Sequence, residues 1–150
     1  MDIVSPEVRS RMMAGIRTRD TKPEVTLRKA LHTKGYRYRL HPKGLPGKPD
    51  FVLPRLRVAV FVHGCFWHFH ECSLFKMPTT RHDFWQAKLS GNRDRDRRVA
   101  IEIGETEWRV LTVWECALRG PCRIGVDEVL ARVEPWFNGD SKHLEIRGTG

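Results

Sequence analysis

The chain has 150 residues, a formal net charge of +9 and a hydrophobic content of 40%. That hydrophobic content excludes a wholly disordered chain, and the length suits one domain with its own core. The excess of Lys and Arg favours a polyanionic partner over a merely soluble basic surface, because neutralising phosphates releases counterions. We expect one domain over residues 1–137 and a polar, flexible tail over residues 138–150.

No segment approaches the roughly 20 consecutive apolar residues that a membrane-spanning helix needs. Asp2, Pro6 and Glu7 interrupt the first residues, so no targeting segment is predicted there either. We therefore expect no membrane association and a cytoplasmic location. In a reducing compartment, cysteines predict metal ligands or free thiols rather than disulfides. The chain has four of them: Cys65, Cys72, Cys116 and Cys122.

Two helices are predicted near the N-terminus. Ser5, followed by a proline at the first helical position, predicts a short basic helix that ends at about Gly15. A second helix is predicted from Thr21, because Glu24 follows three residues later as in a capping box. This second helix ends before Gly35.

The remaining sequence predicts strands and helices in a mixed order. Strands are predicted at residues 36–40, 50–53, 57–62 and 108–115, and helices at 81–103, which Gly91 can interrupt, and at 126–137. Residues 58–62 are apolar throughout, as in a strand that is covered on both faces. The order α-α-β-β-β-α-β-α predicts an α/β fold with a mixed sheet and helices packed against it.

Residues 63–72 combine three histidines and two cysteines with the adjacent aromatics Phe66 and Trp67. Three metal ligands from this loop and a fourth from the end of a buried strand predict a closed, tetrahedral zinc site of the structural kind. The four candidate ligands are Cys65, His70, Cys72 and Cys116. Cys122 is an alternative to Cys116, and His68 an alternative to His70. Buried thiols among scattered histidines, without a metal, are the simpler alternative.

A carboxylate and two imidazoles are predicted to meet near two strand ends. Asp50 opens one strand directly after a turn, and the next strand ends at Val62 and His63. Facing strand ends can hold Mg²⁺ between a carboxylate, a backbone carbonyl and substrate phosphates. His63 or His68 can then deprotonate a water for attack on a phosphodiester. Taken alone, Asp50 is more simply a turn-capping residue.

Three aromatic residues are candidates for insertion into a nucleic-acid duplex. Phe66 and Trp67 lie between the candidate zinc ligands, and Trp85 lies near a predicted helix start among basic residues. Apolar side chains pushed between base pairs unstack them, which is least costly at a mismatch. The alternative for Phe66 and Trp85 is a place in the core. Three other tryptophans are predicted to be core residues: Trp108, Trp114 and Trp136.

Several of these segments resemble signatures of the very-short-patch (Vsr) DNA mismatch endonucleases. The matching segments are residues 17–21 with Glu24, residues 49–51, 61–68 and 113–120, and residues 80–81 followed by 84–85, within a resemblance that spans about residues 5–137. The resemblance implies a restriction-endonuclease-like fold of the PD-(D/E)xK type, with a mixed central sheet flanked by helices and an embedded structural zinc site. The usual acidic-x-Lys triplet would here be Phe61-Val62-His63, so the second carboxylate and the lysine are absent.

The same resemblance implies roles for individual residues. Asp50 and the main-chain oxygen of Val62 would bind Mg²⁺, and His68 would be the general base, assisted by Glu24 and His63. The capping box is a competing explanation for Glu24, and the two roles can coexist. The resemblance also implies a structural zinc on Cys65, His70, Cys72 and Cys116. Duplex contacts are implied for Phe66, Trp67, Trp85 and, in the opposite groove, Met13.

The activity that the resemblance implies is a nick in one DNA strand, 5′ of the thymine at a T·G mismatch that arises when 5-methylcytosine deaminates. It also implies Mg²⁺ dependence, a monomer associated with the nucleoid, and functional partners among mismatch-repair proteins and a DNA cytosine methyltransferase. Two alternatives use the same residues. One is a restriction-like endonuclease that acts on perfect duplexes, and the other is a zinc-stabilised DNA-binding module without catalysis.

Overall fold

The structure, a computed structural model, describes residues 21–40 and 42–149. The helices are α1 (Lys22–Thr33), α2 (His82–Gly104), α3 (Glu115–Leu118) and α4 (Val126–Phe137). The strands are β1 (Arg39–Leu40), β2 (Phe51–Leu53), β3 (Val58–His63), β4 (Arg109–Trp114) and β5 (His143–Ile146). The predicted helix at residues 5–15 lies outside the described residues, and so does Met13. Within the described ranges, no helix has both the length and the apolar character needed to cross a bilayer.

The five strands form one mixed sheet in the order β1-β2-β3-β4-β5. The first three strands pair antiparallel, and β3, β4 and β5 pair parallel. The predicted mixed α/β architecture is therefore confirmed. In the parallel register His63 lies opposite Trp114, so the carboxyl ends of β3 and β4 meet at one edge of the sheet.

Strand β3 is covered on both faces, as its apolar sequence predicts. Val58 and Val60 belong to a core that also includes residues of α1 and α4, while Ala59 and Phe61 pack with Ile103 of α2 on the other face. Helix α2 continues through Gly91 without a break, because a helical glycine costs only about 1 kcal/mol relative to alanine. These two cores hold the central strands rigidly under the site at their ends.

The C-terminal segment contains a strand where the sequence analysis expects a flexible tail. Residues His143–Ile146 pair with β4, and Ile146 is only 2% exposed. The alternation of polar His143 and Glu145 with apolar Leu144 and Ile146 is the strand signal that sequence reasoning missed. The fold therefore extends beyond residue 137, and the residues after β5 are carried back to the carboxyl end of β4.

Candidate active site and metal centre

An open cleft of about 1400 Å³ lies where β3 and β4 end. The first turn of α1 and the middle of α2 form its walls. Its lining includes five basic side chains: Lys22, Lys48, Lys88, Arg95 and Arg119. A concave surface with this charge attracts phosphates, because low-dielectric walls concentrate the field of the cations.

The antiparallel hairpin of β2 and β3 fixes Asp50 in the cleft. The Asp50 N–H donates to the Val60 carbonyl at 2.9 Å, which continues the strand pairing by one residue. The Val62 N–H in turn donates to Asp50 Oδ2 at 2.6 Å. The structure thus brings together the carboxylate and the main chain of Val62, as the sequence analysis expects of a cation site.

Glu24 adds a second carboxylate beside Asp50. The Glu24 N–H donates to Thr21 Oγ1 at 3.4 Å, so Thr21 caps α1 as predicted. The Glu24 side chain is buried; it pairs with Arg28 and also interacts with Asp50. Burial, reinforced by Glu24, raises the pKa of Asp50 to about 8, although the Val62 N–H opposes this shift. Two crowded carboxylates fit a hard divalent cation, which prefers oxygen ligands.

His63 and His68 stack in parallel at the end of β3. Their ring centroids are 3.9 Å apart and their planes differ by 6°. His68 Nδ1 lies 2.5 Å from Asp96 Oδ2 in α2, whereas His63 Nδ1 is 4.0 Å from the same oxygen. Burial, and secondarily His68, lowers the pKa of His63 well below its ordinary value. His63 is therefore neutral, and His68 is the imidazole that a carboxylate orients.

Asp96 is a site candidate that the sequence analysis missed. In the sequence it alternates with arginines, which resembles the charge pattern of a solvated helix face. It lies 28 residues after His68, and no spacing rule connects a loop histidine with the middle of a later helix. Only the packing of α2 across the sheet edge brings the two side chains together.

The predicted zinc ligands converge in one buried cluster. Ligand atoms of four residues all lie within 4.8 Å of one another: Cys65, His70, Cys72 and Cys116. His70 Nδ1 is 3.7 Å from Cys116 Sγ. Zinc bonds of about 2.3 Å to sulfur and 2.0–2.1 Å to nitrogen, at a tetrahedral angle, place these atoms about 3.6 Å apart. The donor set and its spacing therefore fit a tetrahedral zinc ion, and the cluster includes neither Cys122 nor His68.

The directions in which the pKa values of the cluster residues are shifted also suit a bound cation. Burial raises the pKa of the Cys65 and Cys116 thiols, so deprotonation there needs a compensating positive charge. Burial, aided by Arg147, lowers the pKa of His70, which keeps its imidazole in the neutral, ligating form. Within the described residues, His70 Nε2 is buried without a hydrogen-bond partner.

Comparison with known proteins identifies the family. A family model described as DNA mismatch endonuclease Vsr matches residues 1–74. The DNA mismatch endonuclease Vsr of Escherichia coli is 43% identical over 149 residues, which cover 99% of this chain and 96% of that protein. This chain belongs to the Vsr family. The resemblance seen in the sequence is thereby confirmed.

Other Vsr relatives carry names that specify nicking. The type II nicking enzyme V.XorIIP of Xanthomonas oryzae is 47% identical over 117 residues, 78% of this chain and 86% of that enzyme. The type II nicking enzyme V.NmeAIP of Neisseria meningitidis is 38% identical over 135 residues, 89% of this chain and 96% of that enzyme. The chain is therefore a nuclease of the mismatch endonuclease class, and DNA is its substrate.

In this Vsr protein three of the four cluster ligands, Cys65, His70 and Cys72, lie on a well-anchored loop, residues 64–72, which we call the metal loop. The Cys65 N–H donates to Glu115 Oε1 at 3.1 Å, and the His70 N–H donates to the Cys65 carbonyl at 2.9 Å. Asn92 of α2 donates to the Trp67 carbonyl at 2.9 Å. The loop is therefore tied to α2 and α3 at the point where its two aromatics emerge.

The aromatic residues expected to contact the duplex pack together in the Vsr fold. Ring centroids are 5.1 Å apart for Phe66 and Trp67, 5.6 Å for Phe66 and Trp85, and 5.9 Å for Trp67 and Trp85. Trp85 is 6% exposed, while Phe66 and Trp67 are half-buried and the neighbouring Phe84 is 44% exposed. The structure thus groups the three residues beside the cleft, with Trp85 beneath the other two.

The tryptophans expected in the core behave as predicted at two positions. Trp114 and Trp136 are each 8% exposed, and Trp108 is half-buried against the core on the α2 side of the sheet. Trp114 also connects the two sites. His70 stacks on it with centroids 4.0 Å apart, and His63 meets it edge-on at 5.1 Å.

Proposed function

We propose that this protein nicks one strand of duplex DNA, 5′ of the thymine at a T·G mismatch, in a Mg²⁺-dependent reaction that initiates very short patch repair. Such mismatches arise by deamination of 5-methylcytosine. The observation that carries the proposal is the convergence, in one basic cleft, of the Asp50 carboxylate with the His68–Asp96 pair. A cation ligand and an oriented base are the two parts that phosphodiester hydrolysis requires.

Asp50 and the main-chain oxygen of Val62 would hold the Mg²⁺ in this proposal. When bound, the ion neutralises charge on the scissile phosphate and on the departing oxygen. The Val62 N–H orients the Asp50 carboxylate, and Glu24, which interacts with Asp50, would assist through water or phosphate contacts. The pairing of Glu24 with Arg28 limits the negative charge that the site carries before the ion binds.

His68 is the proposed general base. Asp96 accepts a hydrogen bond from the Nδ1–H of His68, which leaves the Nε2 lone pair free to take a proton from water. The oxygen of that water forms a bond to phosphorus, and the bond from phosphorus to the 3′ oxygen breaks. The products are a 5′-phosphate and a 3′-hydroxyl. His63, which stays neutral, would steer the phosphate by hydrogen bonding.

Zinc is the proposed ion of the four-ligand cluster, and its role would be structural. All four positions would be filled by protein ligands, so no position is open for water. The ion would fix the metal loop, and with it Phe66 and Trp67, relative to the base His68. The zinc centre therefore serves mismatch recognition through geometry rather than through chemistry.

Phe66, Trp67 and Trp85 are proposed to insert beside the mismatched pair. Their edge-to-face cluster lies directly beside the cleft, and Arg93 and Arg95 of α2 add positive charge next to it. Because Trp85 is buried beneath the other two, Phe66 and Trp67 make the first contact. A T·G pair is easier to unstack than a T·A pair, which makes insertion selective. Met13, which lies outside the described residues in a segment predicted from sequence to be helical, is proposed to contact the opposite groove.

The proposal also covers the fold type, the extent of the domain, the oligomeric state and the functional partners. We infer a restriction-endonuclease-like domain, because Asp50 directly precedes β2 while Phe61-Val62-His63 ends its antiparallel partner β3. We propose one endonuclease domain that includes residues 1–137 and extends to β5. A monomer suffices, since one asymmetric nick needs one active site. Other mismatch-repair proteins and a DNA cytosine methyltransferase are the proposed functional partners, with action at the nucleoid.

A labelled duplex with a single T·G pair tests the function. With Mg²⁺ we expect one nick in the thymine strand, and none in the T·A control or in the presence of a chelator. Equal cutting of both duplexes would favour a restriction-like endonuclease. Tight binding without any product strand under Mg²⁺ or Mn²⁺ would favour a DNA-binding module without catalysis.

Replacing both Phe66 and Trp67 with Ala should remove most of the preference for the mismatch. Loss of stacking worth about 1–3 kcal/mol per aromatic, or about 2–6 kcal/mol for the two, predicts a fall of roughly 30-fold to 30,000-fold in nicking of the T·G duplex. The measurement is the ratio of the T·G to the T·A nicking rate under single-turnover conditions, compared between the variant and wild type. Ile101→Ala removes another exposed apolar side chain, 63% exposed and at the far end of α2, and should leave the ratio unchanged.

Cation binding should strengthen as pH rises toward the pKa of Asp50, which is about 8. Below that pH a proton occupies the carboxyl group, so each bound cation must displace it, and affinity should rise by about tenfold per pH unit before it levels off. Binding of Mn²⁺ without DNA, followed by electron paramagnetic resonance from pH 6 to 9, measures this. A pH-independent affinity in wild type would contradict the predicted proton competition.

A further inference from the structure

The three residues after β5 pack against the four-ligand cluster described above. The Gly148 N–H donates to Cys116 Sγ at 3.3 Å, and Gly148 is buried. The Thr149 N–H donates to the Cys122 carbonyl at 2.8 Å. Arg147 Nη2 donates to the carbonyl of Glu71, between two ligands of the metal loop, at 2.8 Å. Residues 147–149 thus contact both chain segments that supply ligands, and we call them the C-terminal clamp.

Glycine at position 148 is required by this packing. A Cβ atom there would lie 2.5 Å from the Cys116 carbonyl oxygen and 2.6 Å from the Cys122 carbonyl oxygen. Both distances are shorter than real Cβ contacts allow, and both neighbours are backbone atoms that cannot rotate away. Any larger residue must therefore move the clamp, which also moves the N–H away from the Cys116 sulfur.

Hydrogen-bond donors beside the cluster would stabilise a bound metal because the metal-loaded cluster is negatively charged. Three thiolates and one neutral imidazole around a divalent zinc carry a net charge of about −1 in a buried place. A backbone N–H aimed at a ligand sulfur and a nearby guanidinium both stabilise that charge. Ligand-supporting groups of this kind typically change metal affinity by about 10–100-fold.

We propose that the C-terminal clamp supports the metal centre. It holds the ligand residues in place and determines how tightly the protein retains zinc. The inference rests on the proposed zinc site. It assigns positioning roles to Gly148 and Arg147, which lie more than 30 residues after the last ligand, Cys116. Through the metal loop, the clamp would also set the position of Phe66 and Trp67.

Zinc retention in Gly148→Ala tests the clamp directly. The full-length variant should release zinc to a competing chromophoric chelator with an apparent affinity about 10–100-fold weaker than wild type. Gly104→Ala is the matched control, because a Cβ atom at that helical position meets nothing within 4 Å. Arg147→Gln, at an exposed side chain, provides a milder variant that should fold normally and weaken retention in the same direction.

Cobalt substitution gives a readout that is independent of nicking. Cobalt bound by three thiolates and one imidazole in a tetrahedron has characteristic visible bands, and these should shift or weaken in Gly148→Ala but not in Gly104→Ala. Wild type that binds neither zinc nor cobalt would refute the metal centre itself. Wild type that binds zinc while Gly148→Ala and Arg147→Gln retain it equally well would overturn the clamp alone.

Discussion

Asp50→Asn is expected to lower the rate of nicking by about a thousandfold or more, which corresponds to roughly 4 kcal/mol of transition-state stabilisation. Asn can still accept the Val62 N–H through its side-chain oxygen, so the hairpin of β2 and β3 should remain intact. The substitution removes the negative charge that a divalent cation requires. Single-turnover rates on a T·G duplex with saturating enzyme separate this chemical defect from weaker DNA binding.

The matched control is Asp140→Asn, which removes the same charge from an exposed loop. Circular dichroism and thermal unfolding should show both variants folded, and Mn²⁺ binding should weaken only in Asp50→Asn. Loss of crowding with Glu24 should even make the folded variant slightly more stable in cation-free buffer, because a buried carboxyl is removed. Near-normal nicking by a folded Asp50→Asn would eliminate Asp50 as the cation ligand.

Local patterns in the sequence predict most of this fold. The capping box at Thr21, the fully apolar β3 and the amphipathic α4 each contain their own signal, and each element forms close to its predicted bounds. Strand β5 was missed because a four-residue alternation after a polar turn is too short to stand out. Its pairing depends on β4, which supplies a parallel edge that only the assembled sheet presents.

The residues of the candidate site show the same difference: local spacing predicts some of them, and tertiary packing alone places the others. The metal loop places Cys65, His70 and Cys72 within eight residues, so spacing alone suggests a metal cluster. Asp96 and Gly148 reach their sites only through tertiary packing, and neither residue type is distinctive in its local sequence. Sequence reasoning therefore finds the residues that we propose to bind or react, and it overlooks the residues that we propose to orient them.

One aromatic side chain joins the two halves of the site. Trp114, at the end of β4, stacks on the cluster residue His70 and meets His63 of the stacked His63–His68 pair edge-on. Because Cys116 follows two residues later, the same strand end fixes a cluster ligand and the wall behind the histidines. Displacement of the cluster should therefore disturb the His63–His68 stack before it reaches Asp50.

His68→Ala is expected to lower nicking by about a hundredfold to ten thousandfold, the usual contribution of a positioned general base. Asp96→Asn should have a smaller effect, because the imidazole remains but loses the carboxylate that orients it and stabilises its protonated form. Asp94→Asn, two residues away on the exposed side of α2, is the matched control and should nick normally. DNA binding by all three variants should stay close to wild type.

A double-mutant cycle shows whether His68 and Asp96 act as one unit or contribute independently to the nicking rate. If Asp96 acts only through His68, adding Asp96→Asn to His68→Ala should cause almost no further loss, because the 2.5 Å contact between them is already gone. Additive losses in the double variant would show that Asp96 supports the fold of α2 rather than the base.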